Sequence, residues 1–291
     1  MQFDVIVGNP PYQGAKSTGG KAGKPPTIWP KFVETCNRQL APEGVMVMVH
    51  PSMYRKPGNH LQDILFNNNV QLHMYNNAEA METFGASTRY DWYVIDKTYQ
   101  GTTRVYFEDL SVLDVDLSPG VFMPNGSWDV WTKVTNAAPC LSTTKKTDAP
   151  NDLGNFDVVQ TLTKIKGLVI RKSSIAPKSY GVRKVILSET GCQAIYDKDG
   201  TLGTSCNCYY VKVENDEQGE SLVRFVNSDL CEHLTQSVKW SNFRTEHCLW
   251  NYIACPWLLG IRPDSSEDDI NKAYGVSADD IRFVYGRNRN K

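Results

Sequence analysis

The sequence predicts an α/β fold, divided into a sheet-based domain over residues 1–118 and a mixed α+β domain over residues 119–291. Three observations predict it. Short apolar runs alternate with stretches of helical periodicity through the first hundred or so residues. Beyond residue 118, brief β-like runs are broken by turn signals such as Pro124-Asn-Gly126 and Asp199-Gly200. A length of 291 residues suits about two domains.

Taken in order, Phe3-Asp-Val-Ile-Val7 ends at Gly8 and reads as a strand buried on both faces of a parallel sheet. Residues 13–27 form a glycine- and lysine-rich loop. Thr18 and Pro25 stand where a phosphate-binding loop needs Gly and Ser or Thr, which excludes that motif. Ile28, Trp29, Phe32, Val33, Cys36 and Leu40 recur at helical spacing. Pro42-Glu-Gly44 is a turn, and Val45–Val49 is a second buried strand that ends at His50-Pro51-Ser52. A helix over 58–67 and strands near 70–75 and 92–96 complete the alternation of a parallel sheet. In the second domain the β-like runs fall at 121–123, 128–132, 168–171, 182–187, 193–196 and 208–213. Asp216-Glu-Gln-Gly219 is a further turn signal, and Ser265-Ser-Glu-Asp268 and Ser277-Ala-Asp-Asp280 suit helix starts.

Composition narrows the classes. Hydrophobic residues at 41% and charged residues at 22% fit a packed globular protein and exclude a disordered one. The longest aliphatic run, Val45–Val49, is far short of the roughly 20 residues of a membrane span. The first eight residues carry no export signal, so a soluble cytoplasmic protein is expected. The net charge of −1 leaves nucleic acid open as a partner, because a basic face can be balanced elsewhere. Eight cysteines include no C-x-x-C pair. The grouping of Cys192, Cys206, Cys208, Cys231, His233, His247 and Cys248 fits zinc spacing poorly, so reduced thiols and no metal are expected.

Asn9-Pro10-Pro11-Tyr12 carries the chemistry. The exocyclic nitrogen of adenine is a poor nucleophile because its lone pair is delocalised into the ring. Two acceptors for its two hydrogens would localise that pair, and the Asn9 side-chain oxygen and the Pro10 carbonyl can supply them. Successive prolines fix φ and stiffen the corner that aims the acceptors. Tyr12 offers a flat face to an extruded base. The bland alternative is an ordinary turn at a strand end. Position favours the catalytic reading, because open sheets place ligands beyond the carboxyl ends of their strands.

Phe3-Asp-Val-Ile-Val-Gly-Asn-Pro-Pro-Tyr-Gln13 resembles motif IV of the gamma-class adenine-N6 DNA methyltransferases of restriction–modification systems. The resemblance continues through Ile28–Val33, Leu40–Ser52 and Phe84–Val94, and is diffuse beyond residue 100 or so. It implies a partial Rossmann-like methyltransferase sheet followed by a mixed α+β target-recognition domain. It also implies base flipping, S-adenosyl-L-methionine as methyl donor, double-stranded DNA as substrate, and a bacterial or phage-infected cell as setting. Motif VIII of the family lends a second aromatic to the flipped base; Phe84 is the candidate, with Tyr90 and Trp92 as competitors. His50 is a further candidate for the pocket wall, against a structural role.

One departure stands out. The family carries its cofactor motif, a glycine-rich turn with an acidic ribose-binding residue, ahead of motif IV. Neither Pro256–Arg262 nor Phe283–Gly286 supplies it here. Without the cofactor strand, Phe3–Val7 becomes an apolar edge, which invites another chain. The expectation is the C-terminal part of a split or truncated enzyme, completed by a partner chain carrying the cofactor motif; a mispredicted start or a degenerate remnant gives the same sequence.

DNA contact is expected from Lys164, Lys166, Arg171, Lys172, Lys178, Arg183 and Lys184, a stretch without acidic residues, and from the loop lysines Lys16, Lys21 and Lys24. The alternative is an ordinary solvated face. At the level of function, the rivals are a catalytically inactive methyltransferase-like DNA-binding or regulatory protein, and a methyltransferase acting on protein glutamine or RNA. No nuclease constellation is visible.

Overall fold

The computed structural model describes residues 1–15, 25–85, 88–118, 120–135, 139–145, 149–240 and 244–281. The chain forms a mixed α/β structure in two compact units. One comprises the described residues of Met1–Gly126 and Trp240–Asn242, the other those of Ser127–Lys239 and Phe243–Val284. Among the described residues, no helix is long and apolar enough to cross a membrane.

The first unit is built on β1 (Phe3–Gly8), α1 (Trp29–Gln39), β2 (Leu40–Pro51), α2 (Gln62–Leu65), β3 (Asn69–Tyr75), α3 (Asn77–Phe84), β4 (Tyr90–Asp96), β5 (Thr103–Tyr106) and β6 (Val112–Val115). Its strands make one sheet in the order β1-β2-β4-β3-β5-β6. The expected parallel sheet is mixed: β1–β2 and β3–β5 are parallel, whereas β4 runs antiparallel to both β2 and β3.

Two local expectations are corrected. Pro42-Glu-Gly44 lies inside β2, absorbed as an irregularity between the pairs Phe3↔Leu40 and Val5↔Val45. The helix over 58–67 shrinks to four residues, preceded by a 3-10 turn at Ser52–Arg55. Pro57 and Gly58 interrupt the backbone between them. The sequence reading missed α3. Asn76 caps it through Ala78 N and Glu79 N, while Glu79 returns a bond to Asn76 N, a complete capping box.

Period-2 alternation gives the sheet two unlike faces. Met46, Met48, His50, Leu72, Met74, Asp91, Tyr93, Ile95 and Val105 are buried, as are Trp29, Val33, Tyr54, Leu61, Leu65 and Phe66. The alternate residues Val45, Val47, Val49, His73, Trp92 and Val94 are only half-buried. The expectation that Phe3–Val7 is buried on both faces is overturned: β1 is an edge strand, with Phe3, Val5 and Val7 41%, 63% and 75% exposed. Trp240 joins this unit through bonds from its indole Nε1 to the Met123 carbonyl (2.8 Å) and from Ser52 Oγ to its own carbonyl (3.0 Å).

The second unit contains α4 (Trp128–Thr135), β7 (Thr143–Thr144), β8 (Phe156–Thr163), β9 (Gly167–Ser173), β10 (Lys184–Ser188), β11 (Ala194–Asp197), β12 (Gly203–Thr204), β13 (Cys208–Lys212), α5 (Asp216–Val226), α6 (Asp229–Ser237) and α7 (Glu267–Ala273). They form a four-stranded sheet, β11-β10-β13-β7, and a three-stranded one, β12-β8-β9. The strands expected near 168–171, 182–187, 193–196 and 208–213 are present, whereas none forms over 121–123. The run at 128–132 is helical, because Val130, Trp131 and Val134 share the buried side of α4. The turn signal at 216–219 is the first turn of α5, capped by Asn215; its acidic residues favour that end of a helix dipole. α7 starts from Ser266, whose hydroxyl and backbone both engage Asp269.

Candidate active site

Gly8 ends β1, and Asn9-Pro-Pro-Tyr12 turns outward at its carboxyl end. Pro10 is buried, Asn9 and Pro11 are exposed, and Tyr12 is half-buried. The Tyr12 hydroxyl donates to Asn9 Oδ1 at 2.5 Å. This uses one lone pair of the carboxamide oxygen and leaves the other for an incoming hydrogen. Burial, with the neighbouring Tyr90 second, pushes the Tyr12 hydroxyl up to about 12, so it stays a neutral donor near pH 7. Ile28 N bonds to the Tyr12 carbonyl at 3.1 Å, and Gly14 N to the Pro26 carbonyl at 2.8 Å, closing the base of the following loop. Lys16, Lys21 and Lys24 of that loop lie outside the described residues, as does Phe283–Gly286.

A cavity of about 520 Å³ opens beside the corner, lined by Val7, Gly8, Asn9, Val47, Met48, Val49, Tyr75, Phe84 and Trp92. Its volume falls in the range of small-molecule sites, and its wall is mainly apolar with the Asn9 carboxamide as a polar group. Phe84, which lines it, is the last residue of α3, and Gly85, at φ 66°, ends that helix in the left-handed region. Phe84 packs on Tyr90 at 4.8 Å between centroids, and Tyr90 on Tyr12 at 5.3 Å, so the corner and the Phe84 segment share one aromatic cluster. Trp92 lines the wall and stacks on His73 at 3.8 Å, 11° from parallel. Sequence reasoning missed Tyr75, Val47 and Val49; the half-exposed side of β2 was hidden by its unbroken aliphatic run.

His50 is absent from the cavity wall. It is fully buried, stacks on Trp29 at 4.1 Å, and meets the Tyr93 hydroxyl at 3.0 Å through Nε2. Burial lowers its pKa to about 4. Beneath the same strands lies a buried charge cluster. Arg55 Nε is 3.1 Å from Asp91 Oδ2, and Arg89 Nε is 2.6 Å from Glu108 Oε1.

The cavity does not suit the ribose of the expected methyl donor. Among the described residues its wall holds no carboxylate to take ribose hydroxyls, and its polar side chains are those of Asn9, Tyr75 and Trp92. No group of three or more His, Cys, Asp or Glu able to hold a metal occurs among the described residues, and no disulfide joins any of the eight cysteines.

The basic stretch separates into two kinds of side chain. Lys184 is withdrawn from the phosphate set: it is fully buried, ion-paired with Asp197 and bonded to the Val182 carbonyl at 3.0 Å. Arg171 donates to the backbone carbonyls of Pro150 and Ala149, and Arg183 pairs with Asp216 at 3.1 Å. Lys164, Lys166, Lys172 and Lys178 are exposed.

Residues 1–84 match the Eco57I restriction-modification methylase family. The matched methylase segment begins with β1, contains the whole Asn9–Tyr12 corner and ends at Phe84. Among solved structures, the chain is similar to the type I restriction-modification methyltransferase subunit from Streptococcus thermophilus. Identity there is 17% and the TM-score 0.27, over 39% of this chain and 29% of that one. It is similar also to the type IIG restriction endonuclease BpuSI, with 12% identity and a TM-score of 0.34, over 99% of this chain and 50% of that one. The chain thus spans half or less of the length of either protein. No curated protein matches it.

Proposed function

We propose that this chain is the base-binding part of a split or truncated site-specific DNA adenine-N6 methyltransferase, completed by a segment, on a partner chain or elsewhere in the protein, that holds S-adenosylmethionine. The observation that carries the reading is the cavity beside Asn9, walled by Phe84 within a segment matching restriction-modification methylases. The Asn9 oxygen and the Pro10 carbonyl accept the two amine hydrogens, Tyr12 stacks on the extruded base while orienting Asn9, and Phe84 covers the base from the cavity side. Positioning of this kind lowers the barrier without a strong base. The sheet, with parallel β1 and β2 at its edge, is read as part of a Rossmann-like methyltransferase sheet. The exposed Phe3, Val5 and Val7 on edge strand β1 support a partner, since an apolar edge with unpaired backbone groups favours strand addition. Residues 119–291 are read as the target-recognition domain, with Lys164, Lys166, Lys172 and Lys178 toward phosphate.

The test is transfer of labelled methyl groups to unmethylated duplex DNA, with this chain alone and with a partner carrying the cofactor motif. Activity only with the partner, lost in Asn9→Ala, is expected. Tight calorimetric binding of S-adenosylmethionine by this chain alone overturns the split site. DNA binding without methylation under either condition points to an inactive DNA-binding or regulatory protein.

A further inference from the structure

β8 and β9 form an antiparallel hairpin in which Thr163 pairs with Gly167, so that Lys164, Ile165 and Lys166 make its tip. The turn is satisfied without Ile165: Gly167 takes the left-handed position at φ 62°, and Lys166 N bonds to Thr163 Oγ1 at 3.0 Å. Hairpin tips ordinarily take Gly, Asn, Asp or Ser. Here a β-branched apolar side chain is 96% exposed, and it stands between two lysines. Leu168 and Ile170 on edge strand β9 are 42% and 43% exposed and extend the apolar surface from the tip. Two carboxylates lie close by, Glu232 at 3.8 Å from Lys164 and Asp157 at 2.7 Å from Lys172; the Lys164 side chain remains 80% exposed.

We infer that this tip is a wedge for duplex DNA: Ile165 enters the stack from the minor groove while Lys164 and Lys166 hold the phosphates on either side. A minor groove about 6 Å wide accepts one such side chain with a cation on each flank. Minor-groove proteins use apolar wedges of this kind to unstack a base step and bend the duplex. Folding gains nothing from Ile165 at 96% exposure, whereas its insertion between bases would bury it. The inference rests on DNA being the substrate and adds the element that opens the stack.

The experiment uses the full chain with short random-sequence duplexes carrying 2-aminopurine, and the matching single strands. Ile165→Ser is expected to melt with the parent, to bind duplex about tenfold more weakly, and to lose the fluorescence rise of unstacking. Single-strand affinity is expected to stay the same. Replacing Lys164 and Lys166 together with Ala is expected to lower the salt slope by about two. If Ile165→Ser keeps both duplex affinity and fluorescence, the wedge is wrong while DNA binding stands. A parent chain that binds no duplex removes the wedge and the DNA reading together.

Discussion

The Tyr12 hydroxyl donates to Asn9 Oδ1 at 2.5 Å, so the group proposed to stack on the base also aims the group proposed to accept its hydrogen. Tyr12→Phe keeps the ring and removes the aim. Methyl transfer is expected to fall about tenfold, the worth of one hydrogen bond, with kcat carrying the loss. Tyr12→Ala removes the stacking surface as well and is expected to fall a further tenfold or more. Equal rates for Tyr12→Phe and the parent would make the bond incidental.

Phe84→Ala opens the cavity wall to which Asn9 also belongs. Base stacking is worth about 1–3 kcal/mol, so kcat/KM is expected to drop roughly ten- to hundredfold. A substrate with an already unpaired target base is expected to recover part of it. Full activity in Phe84→Ala would shift the role to Trp92 or Tyr90.

His50 and Asp91 couple stability to pH in opposite directions. Burial lowers His50 to about 4, so the unfolded chain takes up a proton near pH 6.5 that the native chain refuses. Stability from this group is whole above pH 6.5 and drains as pH falls toward 4. Burial raises Asp91 to about 6 from its ordinary 3.8, so its contribution grows as pH falls from 6 toward 3.8. The two offset each other across that window. His50→Gln removes one of them: relative to the variant, the parent is expected to lose on the order of 3 kcal/mol between pH 7 and pH 4 in denaturant melts. A pH-independent difference would show that the imidazole is not held neutral.

The Arg89–Glu108 contact at 2.6 Å is buried with Arg55 and Asp91. Glu108→Gln leaves excess positive charge in the core and is expected to cost about 3–5 kcal/mol of stability. Asp264→Asn breaks a 3.6 Å pair on exposed side chains and is expected to leave the denaturation midpoint in place. Comparable midpoints for the two variants would mean that the cluster is solvated.

Val5→Lys falls on an edge strand that the described chain leaves uncovered. Stability of the chain alone is expected to change by less than about 0.5 kcal/mol, while methylation restored by the partner is abolished. Undiminished complementation would place the partner elsewhere.

The Asn9–Tyr12 corner and much of the strand pattern were legible in the sequence because their causes are local. Two prolines restrict φ at residues 10 and 11, aliphatic runs form strands, and a serine followed three residues later by an aspartate starts α7, though one residue later than Ser265–Asp268, at Ser266 and Asp269. Errors arose where local signals compete. Pro42-Glu-Gly44 carries turn residues yet is held in β2 by pairing to β1. Asp216–Gly219 carries the same signals yet begins α5, because Asn215 caps it.

By itself, the sequence determined that an amide and two prolines close an apolar strand, since dihedral restriction and side-chain alternation act over a few residues. Tertiary structure alone decided which distant side chains meet. It gathered Tyr75, Phe84 and Trp92 around Asn9, buried Lys184 against Asp197 while leaving Lys164 in water, and brought Trp240 onto Met123. Burial and charge pairing depend on what packs against a residue from elsewhere in the chain, and neighbours in sequence do not specify that.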